Sequence, residues 1–378
     1  MRVAIIGAGV LGASTAFHLA LAGVEVVVAD QGHAGRATAA GAGIVSPWSS
    51  GRVDPNWRRI ADAGALYYPT LVQLLGEEGE FDIGYRRVGA LSVAADEKEL
   101  DRIEQEVRAR RAEAPEAGEV TRLPPREARA LFPPLCLDLA AVHVSGGARV
   151  DGRLLVNALR CAAERRAARF HSSAAKLLAR DGRVIGIRLA AEAIEADCVV
   201  VAAGAWAPEL LKPLGIGLAV TPQRGQIIHL RLEGADTEAW PIVLPSGSHY
   251  LVAFGGSRVV AGATRETGAG FDYRVTAAGQ AEVLNEALAV APGLGPATLV
   301  ETRIGFRPIG PDLSPMLGRV AALNGLIIGN GLGPSGLTIG PFAGRLLAQL
   351  AMGEEPELDL RTYDPLRPAA EVAPDRHP

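Results

Sequence analysis

The stretch RVAIIGAGVLGASTAFHLALAGVEVVVAD, residues 2–30, decides the fold. RVAII (2–6) is a short apolar run suited to a buried parallel strand. GAGVLG (7–12) follows, then ASTAFHLALAG, whose apolar spacing is helical and which ends at Gly23. VEVVVAD (24–30) is a second β-branched run closed by an acid. The order predicts strand, turn, helix and strand, with Gly7-x-Gly9-x-x-Gly12 at the turn. Gly7 permits the tight turn, Gly9 lets a pyrophosphate approach the backbone, and Gly12 lets helix and strand pack closely. Val10 and Leu11 open the helix, whose free N–H groups and positive dipole end suit phosphates. Asp30, followed by Gln31, stands near the distance expected for a ribose-binding acid. A glycine-rich turn with no ligand is the other reading, and the presence of strand, helix, second strand and terminal acid together favours dinucleotide binding. The motif itself leaves NAD and FAD open, and His18 reads as a packed or solvated helix residue.

The remaining composition narrows the class. With 378 residues the chain is long for one core and fits two domains. A hydrophobic share of 48% and a charged share of 21% are ordinary for soluble globular material. The formal net charge of −4 gives no general attraction to nucleic acid or to an anionic membrane, so no nucleic-acid partner is expected. Cys136, Cys161 and Cys198 are far apart among Leu, Ala and Val and read as reduced core residues. No metal-ligand spacing is present, and no apolar run approaches the ~20 residues of a membrane span. The first ten residues run directly into the motif without a cleavage pattern, so a cytoplasmic location is the expectation.

Downstream, QGHAGRATAAGAGIVSPWSSGR (31–52) is rich in tiny side chains, which reads either as backbone running against something flat or as a plain surface loop. Residues 97–131 read as a solvated helix pair, and an amphipathic helix is predicted from near Asp151. CVVVAA (198–203) is a buried strand ending at Gly204 and Trp206, where a doubly wound sheet binds ligands. Residues 218–265 read as successive strands. NGLIIGNGLGPSGLTIGPFAGRLLAQLAMG (324–353) reads as strand, glycine-rich turn and a helix from about Ser335. The predicted fold is therefore α/β: a discontinuous Rossmann-like domain (1–80, 146–218 and 308–364) and a second α+β domain (81–145 and 219–307) carrying a mixed or antiparallel sheet. Residues 365–378 are expected to form a frayed tail.

GFRPIGPDLSP (305–315) holds three prolines and two glycines and reads as a stiff turn around Arg307. A structural salt bridge from Arg307 to Asp312 is one reading of that cation, and anion binding is the other.

In their order along the chain, several segments carry a resemblance. They are IIGAGVLGASTAFHLA, ATAAGAGIVSP, GGARVDGRLLVNAL, CVVVAAGAWAPEL, PQRGQII, HYLVAF with RVVAGAT, GFRPIGPDLSPMLGR and IIGNGLGPSGLTIGPFAGRLLAQL. This set resembles the D-amino-acid oxidase-like superfamily of FAD enzymes over nearly the whole chain. Nearest within it are the glycine and sarcosine oxidases and the D-amino-acid dehydrogenases of the small-subunit type. The resemblance implies that Gly7, Gly9 and Gly12 cradle the FAD pyrophosphate and that Asp30 holds the adenosine ribose. It implies that Thr38, Ala39 and Ala40 lie near the pyrophosphate and flavin, with Gly43, Ile44 and Val45 beside the isoalloxazine. Gly204 and Trp206 would pack near the adenine, although Trp206 reads equally as core. Gly333, Ser335, Gly336, Leu337 and Thr338 would meet the flavin ring.

The same resemblance places Arg307 on the substrate carboxylate, where guanidinium can fork onto two oxygens. Tyr250 would hydrogen-bond that carboxylate, and strand alternation points His249 to the other face. The implied chemistry is hydride transfer from Cα to flavin N5, giving an imino acid and then a keto acid, with D-amino acids first among substrates. Glycine, N-methyl or cyclic imino acids are the alternatives, beside an NAD(P)-dependent imine or opine dehydrogenase and a non-catalytic flavoprotein component of a larger oxidase. Two departures stand out. Pro334 occupies the region where glycine oxidase-like relatives carry a second arginine, so one cationic partner is expected. No flavin-linking cysteine lies near Arg307, so FAD is expected to be non-covalent. The absence of a lysine near the flavin motifs favours a quinone or other electron carrier over oxygen as acceptor. A homo-oligomer or peripheral membrane association is left open, and Trp48 and Trp57 read as a lid or as interdomain packing.

Overall fold

The computed structural model describes residues 1–190, 192–312 and 314–368. The β-branched runs at 2–6 and 24–30 form adjacent parallel strands, Arg2–Ile6 and Glu25–Ala29, joined by the helix Val10–Leu21. They sit inside a six-stranded sheet. Its order is Met316–Arg319, Leu326–Asn330, Cys198–Val201, Arg2–Ile6, Glu25–Ala29 and Arg169–His171, parallel except for the antiparallel Met316–Arg319. Three separate regions of the chain thus build one sheet.

Apolar residues on both faces of these strands explain their near-continuous hydrophobicity. One face packs on the helices Val10–Leu21, Pro55–Glu77, Gly152–Arg165 and Gly336–Met352. The other is covered by a small antiparallel sheet, Lys176–Arg180, Arg183–Arg188 and Ala193–Glu195. The helix at 152 begins where its sequence implies: the Asp151 carboxylate accepts from the N–H groups of Arg153 and Leu154.

A second, nine-stranded sheet stands beside the first. Its long central strand Thr221–Arg231 pairs on one side with Arg258–Gly262 and Glu266–Thr267, and on the other with Thr298–Ile309. The sheet continues through Tyr250–Phe254, Ile242–Pro245, Ala90–Ala94, Ala140–Val144 and Val120–Leu123. Only Ile242–Pro245 and Ala90–Ala94 run parallel, so the sheet is mixed.

Two sequence readings change here. GFRPI is not a turn but the end of the twelve-residue strand Thr298–Ile309. Pro308 faces Pro222 in register on an edge strand, and the Phe306 N–H two residues earlier points away from this pairing to the Gly35 carbonyl, so the proline at 308 removes no hydrogen bond between the two strands. The region 97–131 holds a strand, Val120–Leu123, between the helices Glu97–Glu113 and Pro125–Leu131. Residues 369–378, most of the expected tail, lie outside the described residues. Among the described residues, no helix is long and apolar enough to cross a membrane.

Candidate active site

A cavity of about 580 Å³ opens where the two sheets meet. Its first wall is the turn after Arg2–Ile6. Gly7 has φ +104°, a conformation that favours glycine, and a Cβ there would meet the Ala202 carbonyl at 2.4 Å. A Cβ on Gly12 would lie 1.9 Å from the Gly7 carbonyl oxygen, so helix and strand touch backbone to backbone. The helix starts at Val10 without a side chain capping from Gly9. Instead the Val10 N–H donates to Thr38 Oγ1 at 3.1 Å, which ties the turn to the short helix Ala37–Ala40. The Asp30 carboxylate accepts from the N–H groups of Ala8 (2.7 Å) and Gly32 (2.6 Å) and keeps lone pairs for a hydroxyl.

Gly7, Gly9, Val10, Leu11, Asp30, Gln31, Thr38, Ala40, Gly43, Ile44, Gly204, Trp206, Gly333, Ser335, Gly336, Leu337, Thr338, Tyr250 and Arg307 all line this one cavity. Gly12, Ala39 and Val45 stand behind the wall. Gly12 makes the backbone contact just described, the Ala39 carbonyl accepts from Arg153 Nε at 3.1 Å, and Val45 is core. Trp206 lies between His33 and Phe271, with parallel rings 4.4 and 5.0 Å away. Asn330, which no sequence motif singles out, lines the cavity and donates to the Gly204 carbonyl at 2.9 Å.

The opposite wall belongs to the nine-stranded sheet. Arg307 stands across from Gln223 in register. Its Nη1 donates to the Thr264 carbonyl at 3.0 Å and to Gln223 Oε1 at 3.3 Å. Tyr250 begins the strand Tyr250–Phe254, and its hydroxyl lies near enough to Arg307 for the two to act on each other electrostatically. Burial pushes the Arg307 guanidinium below its ordinary value, Tyr250 offsets this in part, and nearby Arg265 adds to it. The Tyr250 hydroxyl is pushed up by burial and drawn back by Arg307.

The expected alternative partner, Asp312, is bound by Arg367, whose Nε and Nη2 lie 2.8 and 2.7 Å from the two carboxylate oxygens. Another cation, Arg265, lines the same cavity close to Tyr250 and Arg307. Neither Arg307 nor Arg265 forms an ion pair with a carboxylate among the described residues. Arg265 follows directly on the strand-like run RVVAGAT, and sequence alone gave it no reason to turn inward. His249 lies off the cavity, with Nε2 3.5 Å from Glu282 Oε1.

The third wall joins residues 41–52 to the N-terminus of Gly336–Met352. Thr338 Oγ1 donates to the Ile44 carbonyl at 3.0 Å. The Trp57 indole N–H donates to Ser335 Oγ at 3.1 Å, and Trp57 faces the cavity. Trp48 is buried in the core and does not. Two helix N-termini, at Val10 and Gly336, therefore border one space that reaches from Asp30 to Arg307. Bare backbone and helix ends at one extreme suit a pyrophosphate. The apolar and backbone lining beside Gly43, Ile44 and Leu337 suits a flat ring. Among the described residues no cluster of His, Cys, Asp and Glu is placed to hold a metal ion.

Residues 2–350 match the family model described as DAO: FAD dependent oxidoreductase. The chain is 50% identical to an uncharacterized oxidoreductase, YurR, of Bacillus subtilis (strain 168), covering 96% of this chain and 97% of that one. It is 34% identical to a glycine oxidase of Pseudomonas aeruginosa, covering 96% and 98%. The crystal structure of an iminodiacetate oxidase from Chelativorans sp. BNC1 superposes with a TM-score of 0.94 at 53% identity, covering 96% and 99%.

Proposed function

Because the chain belongs to the DAO family of FAD-dependent oxidoreductases, we propose that it oxidises the C–N bond of a small amino acid, preferring a secondary amine that carries two carboxylates. The chain is an oxidoreductase of the glycine oxidase and iminodiacetate oxidase type. FAD, when bound, supplies the two-electron hydride acceptor. Gly7, Gly9 and Asp30 would hold its nucleotide half, and Gly43, Ile44 and the start of Gly336–Met352 its ring.

One observation carries the substrate reading. Arg307 and Arg265 share a wall with Tyr250, and neither has a carboxylate partner of its own among the described residues. A half-buried cation without an anion is costly, so a carboxylate supplied by the ligand is favoured at Arg307. A D-amino acid, the first expectation from sequence, would use one cation. The second is left for another acid group. Iminodiacetate is the simplest such compound, and a structure 53% identical to this chain is that of an iminodiacetate oxidase.

Arg307 and Tyr250 fix the carboxylate and so orient the adjacent C–H. Loss of hydride from that carbon and of the proton from nitrogen leaves an imine. Water adds across it, and the C–N bond breaks to glyoxylate and glycine. Orientation is the protein's main contribution, because no His/Asp pair stands at this wall among the described residues.

The test is anaerobic bleaching of the bound flavin by iminodiacetate, sarcosine, glycine, D-alanine and L-alanine. Iminodiacetate should reduce the flavin fastest. Faster reduction by D-alanine would return the assignment to a D-amino-acid enzyme, and no reduction by any of them would defeat it. Peroxide release in air, measured beside reduction of a soluble quinone, identifies the electron acceptor.

A further inference from the structure

Behind the cavity, one buried cation grips the segment that forms part of its wall. Arg110 lies near the end of Glu97–Glu113, a helix whose other arginines mostly pair with acids at the surface, as Arg102 does with Glu106. Arg110 is only 8% exposed. Its Nη1 donates to the Pro47 carbonyl at 2.7 Å, and its Nη2 donates to the Arg52 carbonyl. Arg58 Nε reaches the same Arg52 carbonyl at 3.0 Å. Both ends of Pro47–Arg52 are thus held from outside the cavity, while Pro47, Ser50 and Arg52 line it. Within the segment, the 3-10 turn Pro47–Ser49 gives way to irregular backbone containing Gly51. The Arg52 guanidinium lies 5.1 Å from the Trp57 ring centre, and Trp57 bonds Ser335.

We propose that Arg110 is a positioning residue for substrate capture: by clamping the carbonyls of Pro47 and Arg52 it fixes the cavity wall built from that segment. Guanidinium suits this task because its fork spans two acceptors with one rigid group. Burial among Arg58 and other groups lowers Arg110 to about 10, with Asp62 opposing, so it is charged at neutral pH. The clamp itself is a matter of geometry, whereas its effect on capture rests on the reading that this cavity binds an amino acid.

The test uses holoenzyme with Arg110→Met, which keeps the apolar stem, and Arg110→Lys, which can reach one carbonyl. Deuterium uptake of amides 48–53 reports the clamp. Glycolate titrated against the flavin absorbance band reports carboxylate capture, and KM and kcat follow with the best amino acid of the panel. Arg110→Met should speed exchange at 48–53 about tenfold, raise the glycolate Kd and KM about tenfold, and leave kcat within about twofold, with Arg110→Lys between it and wild type. Unchanged exchange in either folded variant overturns the clamp. Faster exchange with unchanged Kd and KM overturns the role in capture. If wild type neither binds glycolate nor is bleached by any amino acid, the functional reading and the capture role fall together, and exchange still decides the clamp. Should Arg110→Met fail to fold, Arg110→Lys carries the same decisions.

Discussion

The guanidinium of Arg307 lies over Gly225 on the neighbouring strand: a Cβ at Gly225 would sit 2.7 Å from Nη2 and 2.8 Å from Cζ. The glycine is the floor on which the cation rests. Adding a methyl there pushes only the tip of a flexible side chain, so the fold should tolerate it. The site should not, because an ångström of misplacement at a binding group can cost about 100-fold. Gly225→Ala is expected to keep its Tm within a few degrees and its FAD, while kcat/KM falls about 10- to 100-fold. A drop in Tm without a drop in kcat/KM would place the strain elsewhere.

Removing the cation itself should cost more. On the proposed function, Arg307→Ala would delete a charge-assisted partner of the substrate carboxylate, an expected effect of about 2–4 kcal/mol in kcat/KM. Arg307→Lys should recover little of it, since an ammonium cannot fork onto two oxygens while bonding Thr264 and Gln223 as the guanidinium does. FAD should stay bound in both. Wild-type kcat/KM in either variant contradicts the carboxylate role.

Arg265 is exposed and so should contribute less, about 1 kcal/mol for a solvated pair. Its value lies in discrimination. Arg265→Ala should raise KM for iminodiacetate about fivefold and leave KM for glycine or sarcosine nearly unchanged. An equal loss on mono- and dicarboxylates would mean that Arg265 acts on Arg307 and not on a second acid group. Screening separates these further, since the Arg265 effect should shrink with added salt.

The residues that sequence made legible are those whose role is local. The turn of Gly7, Gly9 and Gly12 and the acid at 30 belong to one β–α–β unit, so short-range spacing announces them. Arg307 was legible as a cation worth explaining, but its conformation was not. Three prolines in eleven residues read as a turn, and only the register of Pro222 against Pro308 shows how a strand accommodates them. Arg265, Asn330 and Arg110 were missed for a related reason. Each acquires its role from a strand or loop far away in sequence. Arg110 in particular sits in a helix whose charge pattern reads as wholly solvated, until residues 47–52 fold over it.

Gly12 offers a test of the nucleotide wall. A Cβ there would lie 1.9 Å from the Gly7 carbonyl oxygen, a backbone atom that cannot swing away. Gly12→Ala must therefore separate helix Val10–Leu21 from the turn and displace its N-terminus. Overpacking of this kind costs about 1–3 kcal/mol, and the displaced helix end should weaken cofactor binding as well. The expected result is a lower Tm together with a flavin absorbance per chain well below that of wild type. Full flavin content at wild-type Tm would show that the contact is slack.

His18 gives the fold a pH dependence that can be isolated. Its Nδ1–H donates to the Ser14 carbonyl at 2.7 Å, and its Nε2 lies 2.5 Å from the Tyr67 hydroxyl, from which the neutral imidazole accepts. Burial, reinforced by Arg345, lowers its pKa from 6.5 to about 4, against a rise from the Ser14 bond. Between these values the unfolded chain binds a proton that the folded chain refuses, so stability present above pH 6.5 is lost as pH falls toward 4. The slope from one such group is at most about 1.4 kcal/mol per pH unit. Carboxylates depressed by ion pairs add their own losses at lower pH, so the informative quantity is a difference between two proteins. His18→Gln keeps an amide donor and acceptor but does not titrate. Its Tm should fall less than that of wild type between pH 6.5 and 4.5, and parallel curves would show that His18 is not the titrating group.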